Sequence, residues 1–188
     1  MRLRDEPAEV EVIETRTGYA GRVWDVAEDR IRYNGAELVR HYVDHPGAVG
    51  VVALDDRERV LLIQQYRHPI RTRDWEVPAG LLDVPGEDPL EAAKRELAEE
   101  ADLVAATWEP LGEFAPSPGG SDEIIRLFLA TDLSATPEAF ARGDEEADMR
   151  VEWVPFDDAL AAVTSGTVRN GALMLGILLT AERIRQRG

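Results

Sequence analysis

Short apolar runs typical of strands are interleaved with apolar patterns of helical period along this chain, which predicts an α/β layered domain. Up to about residue 45 the chain is polar, and short alternating runs such as EVEVIETRT and RIRYNGAELVRHYV predict a few strands. GAVGVVALDDRERVLLIQQY holds two β-branched apolar runs separated by DDRE, which predicts a hairpin. WEVPAGLL predicts a short strand that ends at Pro78 and Gly80.

The second half of the chain contains the predicted helices. One helix follows the loop DVPGEDP, and a loop rich in Pro, Gly and Ser then leads to the strand IIRLFLATDL. A polar, acidic stretch over residues 136–150 precedes the strand VEWVPF and two helices at roughly 157–165 and 171–186. We therefore predict a small β-rich subdomain over residues 1–45 and a main domain over residues 46–188.

The helix after DVPGEDP has a well-specified start and one apolar face. Asp88 is suited to the N-cap, Pro89 to the first helical position, and Glu91 follows three residues after the cap, as in a capping box. At about 100° per residue, a single stripe collects five apolar residues: Leu90, Ala93, Leu97, Ala101 and Val104. This stripe is predicted to pack against the sheet.

Three carboxylates crowd beside that stripe. Glu96 and Glu100 flank it, and Glu99 lies slightly farther round the helix. One interpretation is an ordinary solvated acidic face. The other is a site for Mg²⁺ or Mn²⁺, because a like-charge pair at i, i+4 is unfavourable and hard oxygen ligands at this spacing suit such ions. A bound ion of this kind supports metal-assisted phosphate chemistry.

Composition limits the partners of the protein. Its 37 acidic and 21 basic residues give a formal net charge of −16, so the surface is predicted to repel nucleic acid and anionic membranes. The longest apolar run, GALMLGILLTA, is shorter than the roughly 20 residues of a membrane span. The chain has no cysteine, which excludes disulfides and thiolate sites, and no secretory signal pattern, so we expect a cytoplasmic protein.

The segment from Gly80 to Leu103, GLLDVPGEDPLEAAKRELAEEADL, resembles the signature box of the Nudix hydrolases. That box reads Gly, five residues, Glu, seven residues, then Arg-Glu-apolar-any-Glu-Glu-any-Gly-apolar. Seven residues separate Glu87 from Arg95, as the box requires. The chain departs from the box twice, with six residues between Gly80 and Glu87 and with Asp102 in place of the second Gly.

The resemblance implies a fold and a metal site. The fold is the Nudix α/β/α sandwich with a mixed sheet. Glu96 and Glu100 become the principal ligands of Mg²⁺, for which Mn²⁺ can substitute, and the Ala79 carbonyl can supply a further oxygen. Glu87 and Glu99 become additional ligands or partners of the ligands. Arg95 orients the glutamates, and with Glu99 it is counted among the catalytic residues.

Outside the box, the chain looks like the ADP-ribose pyrophosphatase subgroup through HPGAVGVVALDD, QQYRHPI, WEVPAG and SPGGSDE. This resemblance implies hydrolysis of ADP-ribose to AMP and ribose 5-phosphate by a homodimer whose N-terminal strands help to build each site. The alternatives are another Nudix specificity, such as GDP-mannose, another nucleotide sugar or NADH, and a non-catalytic Nudix-fold ligand sensor.

The same resemblance indicates the residues that bind and attack the substrate. Arg67 is expected to contact the phosphates, since Arg offers a planar, bidentate donor fork. Glu76 in WEVPAG is another family-matched position for a contact in the site. Arg40 and Trp24 are candidates for base stacking, although Trp24 can equally be a core or dimer-interface residue. In the loop SPGGSDE, Gly120 allows close backbone approach, and Ser121 and Glu123 are candidates for polar contacts. The general base is expected in the acidic loop GDEEADMRV, as Glu145 or Glu146.

Overall fold

The computed structural model describes residues 3–138, 140 and 148–187 of the chain. The chain divides into two compact units, one formed by residues 1–45 with 117–123 and the other by residues 46–116 with 124–188. The loop 117–123 therefore belongs with the N-terminal strands, although residues 46 to 188 were expected to form one domain. Backbone pairing explains this grouping, because the Val43 amide donates to the Gly120 carbonyl at 2.9 Å.

The first unit is built on a three-stranded antiparallel sheet. Its strands are β1 (Glu11–Tyr19), β2 (Asp25–Tyr33) and β3 (Ala36–Asp44), in the order β1-β2-β3. Strands β2 and β3 are joined by the two residues Asn34 and Gly35, both with positive φ, as a tight hairpin turn requires. The prediction of a few strands in this region is confirmed.

The second unit contains two sheets. Their strands are β4 (Ala48–Ala53), β5 (Arg59–Arg67), β6 (Thr72–Glu76), β7 (Ala79–Leu81), β8 (Leu103–Phe114), β9 (Ile125–Ala135) and β10 (Arg150–Pro155). The first sheet has the order β7-β4-β9-β8 and the second β10-β5-β6. Strands β4 and β9 are parallel and the other neighbours are antiparallel, so the four-stranded sheet is mixed.

Helices lie on both sides of these sheets. Helix α1 (Pro89–Ala101) packs Ala93 and Leu97 into one apolar cluster with Val51 of β4. Helices α2 (Phe156–Thr164) and α3 (Gly171–Arg187) pack into a second cluster, which contains Val52 of β4. Because successive residues of a strand point to opposite faces, β4 contributes to both clusters. The predicted α/β/α sandwich with a mixed sheet is confirmed.

The predicted hairpin between β4 and β5 is wrong. The chain does turn back after β4, and a single antiparallel bridge joins Leu54 to Val60. Beyond this bridge the strands enter different sheets, because β4 pairs with β7 and β9 while β5 pairs with β6 and β10. Strand β4 is buried along its whole length, a pattern typical of a strand covered on both faces.

Two element boundaries also differ from the predictions. WEVPAGLL does not form one strand, since β6 ends at Glu76 and β7 begins at Ala79, on either side of Pro78. Val104, expected on the apolar stripe of α1, lies in β8 and is exposed, because the helix ends at Ala101. Within the described residues, no helix has both the length and the apolarity needed to cross a membrane.

Candidate functional site: an acidic cluster beside a buried ion pair

Helix α1, which contacts β7 through Glu100, is capped at both ends. At its start, the Asp88 side chain accepts a hydrogen bond from the Leu90 amide at 2.9 Å. At its end, Asp102 adopts a left-handed conformation with a φ of 55°, and its amide donates to Ala98 and Leu97. The Asp that replaces Gly in the signature box thus takes the backbone conformation that a helix C-terminus favours.

Arg95 gathers three carboxylates around its guanidinium. It donates to both oxygens of Glu87, from Nε at 3.2 Å and from Nη2 at 3.0 Å. Its Nη1 donates to Glu96 Oε1 at 2.5 Å and to Glu99 Oε2 at 3.4 Å. These ion pairs raise the pKa of Arg95 and lower that of Glu87, whereas burial raises the pKa of Glu96. One arginine therefore offsets the repulsion among Glu87, Glu96 and Glu99.

Glu100 is held separately, at the buried edge of the helix. The residue is 5% exposed, and its Oε2 accepts a hydrogen bond from the Ala79 amide at 2.8 Å. This bond ties α1 to the start of β7. The structure thus brings Ala79 to Glu100 through the Ala79 amide, and the participation of its carbonyl stays a prediction. We call Glu87, Glu96, Glu99 and Glu100 together the acidic cluster.

The donor chemistry of the acidic cluster suits a hard divalent cation such as Mg²⁺ or Mn²⁺. Among the residues that the structure describes, however, no three acidic or histidine side chains are arranged as a metal site. The contacts explain this arrangement, since Arg95 holds three of the carboxylates and the Ala79 amide holds Glu100. We expect a cation that binds here to replace some of the contacts that Arg95 makes with the carboxylates.

A second charged group, formed by Arg67 and Glu76, lies at the ends of β5 and β6. Nε and Nη2 of Arg67 donate to the two oxygens of Glu76, both at 2.7 Å. The hydrogen bonds to Glu76 raise the pKa of Arg67, and the negative charge of Glu100 raises it further. Arg67 therefore remains cationic at any physiological pH. The backbone links this ion pair to the acidic cluster, because the Ala79 amide, three residues after Glu76, binds Glu100.

The other predicted substrate residues belong to the first unit of the fold. Arg40 is exposed and donates to the carbonyl of its neighbour Val39 at 2.9 Å. Ser121 joins the loop 117–123 to β3 through a hydrogen bond to the Val43 carbonyl at 3.3 Å. Glu123 lies 3.4 Å from Nε2 of His45. The ring of Trp24 stacks on His45 with a centroid separation of 4.3 Å.

These contacts are made within the protein and do not test substrate binding. Substrate binding therefore stays a prediction for four residues: Arg40, Gly120, Ser121 and Glu123. The carbonyl of Gly120 accepts the Val43 amide, so this glycine is part of the pairing with β3. Glu145 and Glu146, the predicted general bases, lie outside the described residues.

One residue that contacts the Arg67–Glu76 pair was not identified from the sequence. Gln65 is 7% exposed, and its Nε2 donates to Glu76 Oε2 at 3.4 Å. A signal was present, because residues two apart on a strand share a face and Gln65 is therefore on the same face as Arg67. The pair of glutamines in QQYR concealed this signal, since either could have been the buried one.

Comparisons with known proteins show the family of the chain. The model of the NUDIX domain matches residues 44–172, which is more than half of the chain. The chain is 42% identical over 171 residues to the ADP-ribose pyrophosphatase of Mycobacterium tuberculosis (strain ATCC 25618 / H37Rv), covering 89% of this chain and 81% of that protein. It is 38% identical over 151 residues to the ADP-ribose pyrophosphatase of Bacillus subtilis (strain 168), covering 80% of each.

A solved structure shares the fold. The crystal structure of an ADP compounds hydrolase matches with a TM-score of 0.81 and 21% sequence identity, covering 98% of this chain and 99% of that chain. At this identity the likeness concerns the fold alone. The family match and the two relatives, together with the acidic cluster at α1, lead to one conclusion: the chain belongs to the Nudix family.

Proposed function

We propose that this protein is a pyrophosphohydrolase that cleaves ADP-ribose to AMP and ribose 5-phosphate with Mg²⁺, for which Mn²⁺ can substitute. The observation that carries the proposal is the acidic cluster at α1, together with the Arg67–Glu76 ion pair, since Glu76 stands three residues before Ala79, whose amide binds Glu100. Two relatives named ADP-ribose pyrophosphatase support the choice of substrate.

The chemistry divides between the cation and the side chains of the protein. When bound, the cation polarises a phosphoryl oxygen and makes water easier to deprotonate. Glu96 and Glu100, with Glu87 and Glu99 beside them, would hold it. Arg95 keeps these carboxylates together before the cation arrives, because it contacts three of them.

The substrate itself needs a cationic contact on this acidic protein. Arg67 supplies one, since its side chain is 45% exposed although it is paired with Glu76. A guanidinium can donate two parallel hydrogen bonds to phosphate oxygens. The proton of the attacking water would pass to a carboxylate of the acidic loop, for which Glu145 and Glu146 are our candidates.

Product analysis over a panel of substrates tests the proposal. The purified protein is incubated with ADP-ribose, GDP-mannose, other nucleotide sugars and NADH, each with Mg²⁺ and with a chelator. We expect AMP and ribose 5-phosphate from ADP-ribose, no hydrolysis with chelator, and the highest kcat/KM for ADP-ribose. A kcat/KM about tenfold higher on GDP-mannose would identify GDP-mannose as the substrate in place of ADP-ribose. Inactivity on the whole panel would favour a ligand sensor.

We also propose that the protein is a cytoplasmic homodimer that uses the strands of the first unit. The three-stranded sheet of that unit carries exposed apolar side chains, which favour an interface: Val12, Tyr19, Tyr33 and Val39. Light scattering of the purified protein tests this proposal. A mass of twice 20.9 kDa is expected, and a monomer at micromolar concentration would contradict it.

A further inference from the structure

Glu76 combines a buried carboxylate with an accessible partner. Its side chain is 4% exposed, whereas the side chain of Arg67 is 45% exposed. The two hydrogen bonds of 2.7 Å occupy the edge of the guanidinium formed by Nε and Nη2. Because a guanidinium is planar and carries five N–H donors, the edge formed by Nη1 and Nη2 still has donors to offer.

The surrounding strands hold this pair in place. Arg67 lies opposite Thr72, and Ile63 lies opposite Glu76, in the antiparallel pairing of β5 with β6. Gln65, between them on the same face of β5, donates to Glu76 Oε2 at 3.4 Å. The carboxylate therefore accepts hydrogen bonds from two side chains of one strand. The direction of the guanidinium is set by these contacts.

Direct contact between Glu76 and the substrate would be unfavourable. A diphosphate is an anion, so a carboxylate facing it would repel it. The carboxylate of Glu76 is also nearly inaccessible and already accepts the Arg67 and Gln65 hydrogen bonds. An arginine that is immobilised in advance, by contrast, loses less conformational entropy when it binds a ligand.

We propose that Glu76 is a positioning residue that holds the Arg67 guanidinium with its remaining edge turned to the diphosphate, and that Gln65 steadies the Glu76 carboxylate. This inference rests on the proposed function, because it assumes a nucleoside diphosphate substrate. It changes the predicted role of Glu76 from a contact of the substrate to a residue that acts through Arg67.

A double-mutant cycle tests the positioning role. Glu76→Gln keeps the shape of the side chain but places an amide donor against one nitrogen of Arg67. We expect the KM for ADP-ribose to rise about tenfold with kcat within about twofold of wild type. Arg67→Gln is expected to raise KM at least as much. Because Glu76 acts through Arg67, the double variant should be no worse than Arg67→Gln.

An additive effect of the two substitutions on KM would overturn the proposal, since Glu76 would then act independently of Arg67. A second pair on β5 provides the control. Arg59 donates from Nε to Asp55 Oδ2 at 2.8 Å, at the opposite end of the strand. Asp55→Asn is expected to lower the melting temperature and leave KM unchanged. An equal rise in KM in this variant would indicate loss of sheet stability and would also overturn the proposal.

A spectroscopic measurement tests the same pair without turnover. In a proton–nitrogen correlation spectrum, the Nε–H signal of Arg67 is identified by its loss in Arg67→Gln. We expect this signal to exchange slowly in the wild type, to be lost or averaged in Glu76→Gln, and to shift when ADP is added with a chelator. A rapidly exchanging signal in the wild type, or one that ADP leaves unchanged, would refute the positioning role.

The two measurements separate the two proposals. If the Arg67 signal behaves as expected but ADP-ribose is not hydrolysed, the proposed substrate is wrong and the positioning role stands. If ADP-ribose is hydrolysed but the cycle is additive, the proposed function stands and the positioning role is wrong.

Discussion

Gly80 lies so close to Glu96 that a Cβ atom at position 80 would stand 2.0 Å from Glu96 Cδ and 2.5 Å from Glu96 Cγ. No side chain tolerates such a separation, so the residue at this position of β7 determines where the Glu96 carboxylate lies. The first glycine of the signature box and one of its glutamates are therefore in direct steric contact.

Gly80→Ala is expected to displace Glu96 and to leave most of the fold intact, because the atoms in its way belong to a flexible side chain. We predict a fall in kcat/KM for ADP-ribose of at least about tenfold, since small misplacements of catalytic groups are costly. The melting temperature should fall by less than about 4 °C. Steady-state kinetics and thermal unfolding measure the two effects.

Gly171→Ala provides the control for this substitution. A Cβ at Gly171 would meet Phe114 Cε2 at 3.8 Å, which is an ordinary contact. Its activity should match that of the wild type. Wild-type activity in Gly80→Ala would show that the position of Glu96 is unimportant for catalysis.

Arg95→Met should reveal the repulsion within the acidic cluster. The substitution removes the cation that contacts Glu87, Glu96 and Glu99. In the presence of a chelator we expect the melting temperature to fall by about 5 °C. Added Mg²⁺ should raise the melting temperature more in this variant than in the wild type, because the ion no longer competes with Arg95.

The neighbouring cation gives the comparison for Arg95. Lys94 pairs with Glu91 at 2.7 Å on the exposed face of α1. Lys94→Met should change the melting temperature little and should respond to Mg²⁺ as the wild type does. If Mg²⁺ raised the melting temperature of Arg95→Met and of the wild type by the same amount, the ion would not replace the contacts of Arg95 with the carboxylates.

Thr180→Val is expected to stabilise the protein. Thr180 is 0% exposed, and within the described residues its hydroxyl oxygen has no hydrogen-bond partner. Replacing an unsatisfied buried hydroxyl with a methyl group of similar shape should add about 1 kcal/mol to the free energy of unfolding. For a chain of this length, this corresponds to a rise in melting temperature of about 2–4 °C.

The matched variant is Thr164→Val at the exposed end of α2. The Thr164 hydroxyl donates to the Leu160 carbonyl at 2.9 Å, so its removal should be neutral or slightly destabilising. Equal effects of the two substitutions would indicate that the Thr180 hydroxyl has a partner in solution.

Local patterns predicted most of the helices and strands. The capping signals of Asp88 and Pro89 placed the start of α1 correctly, because they describe interactions within one turn of helix. The reciprocal contact of a capping box was not found, since Glu91 pairs with Lys94 instead. The acidic face of α1 was also predicted, because helical period alone brings Glu96, Glu99 and Glu100 together.

Long-range pairing was harder to predict. The turn after β4 was apparent in the sequence, but the choice of neighbours for β4 depends on β7 and β9, which are distant in the sequence. The grouping of loop 117–123 with the N-terminal strands depends in the same way on backbone pairing with Val43. The burial of Glu76 could not be predicted from its own segment either, because the partner of this carboxylate, Arg67, lies on the neighbouring strand.

The assignment of the acidic cluster as the metal site is tested most directly by the hydrolysis of ADP-ribose by Glu100→Gln at saturating Mg²⁺. A glutamine can still accept the Ala79 amide that now contacts Glu100, so the fold should persist while the negative charge is lost. Glu91→Gln, on the exposed face of the same helix, is the control. We predict that Glu100→Gln lowers kcat by at least about a hundredfold and that Glu91→Gln stays within about twofold of wild type. A kcat for Glu100→Gln equal to that of the wild type would contradict the role of Glu100 as a ligand of the cation.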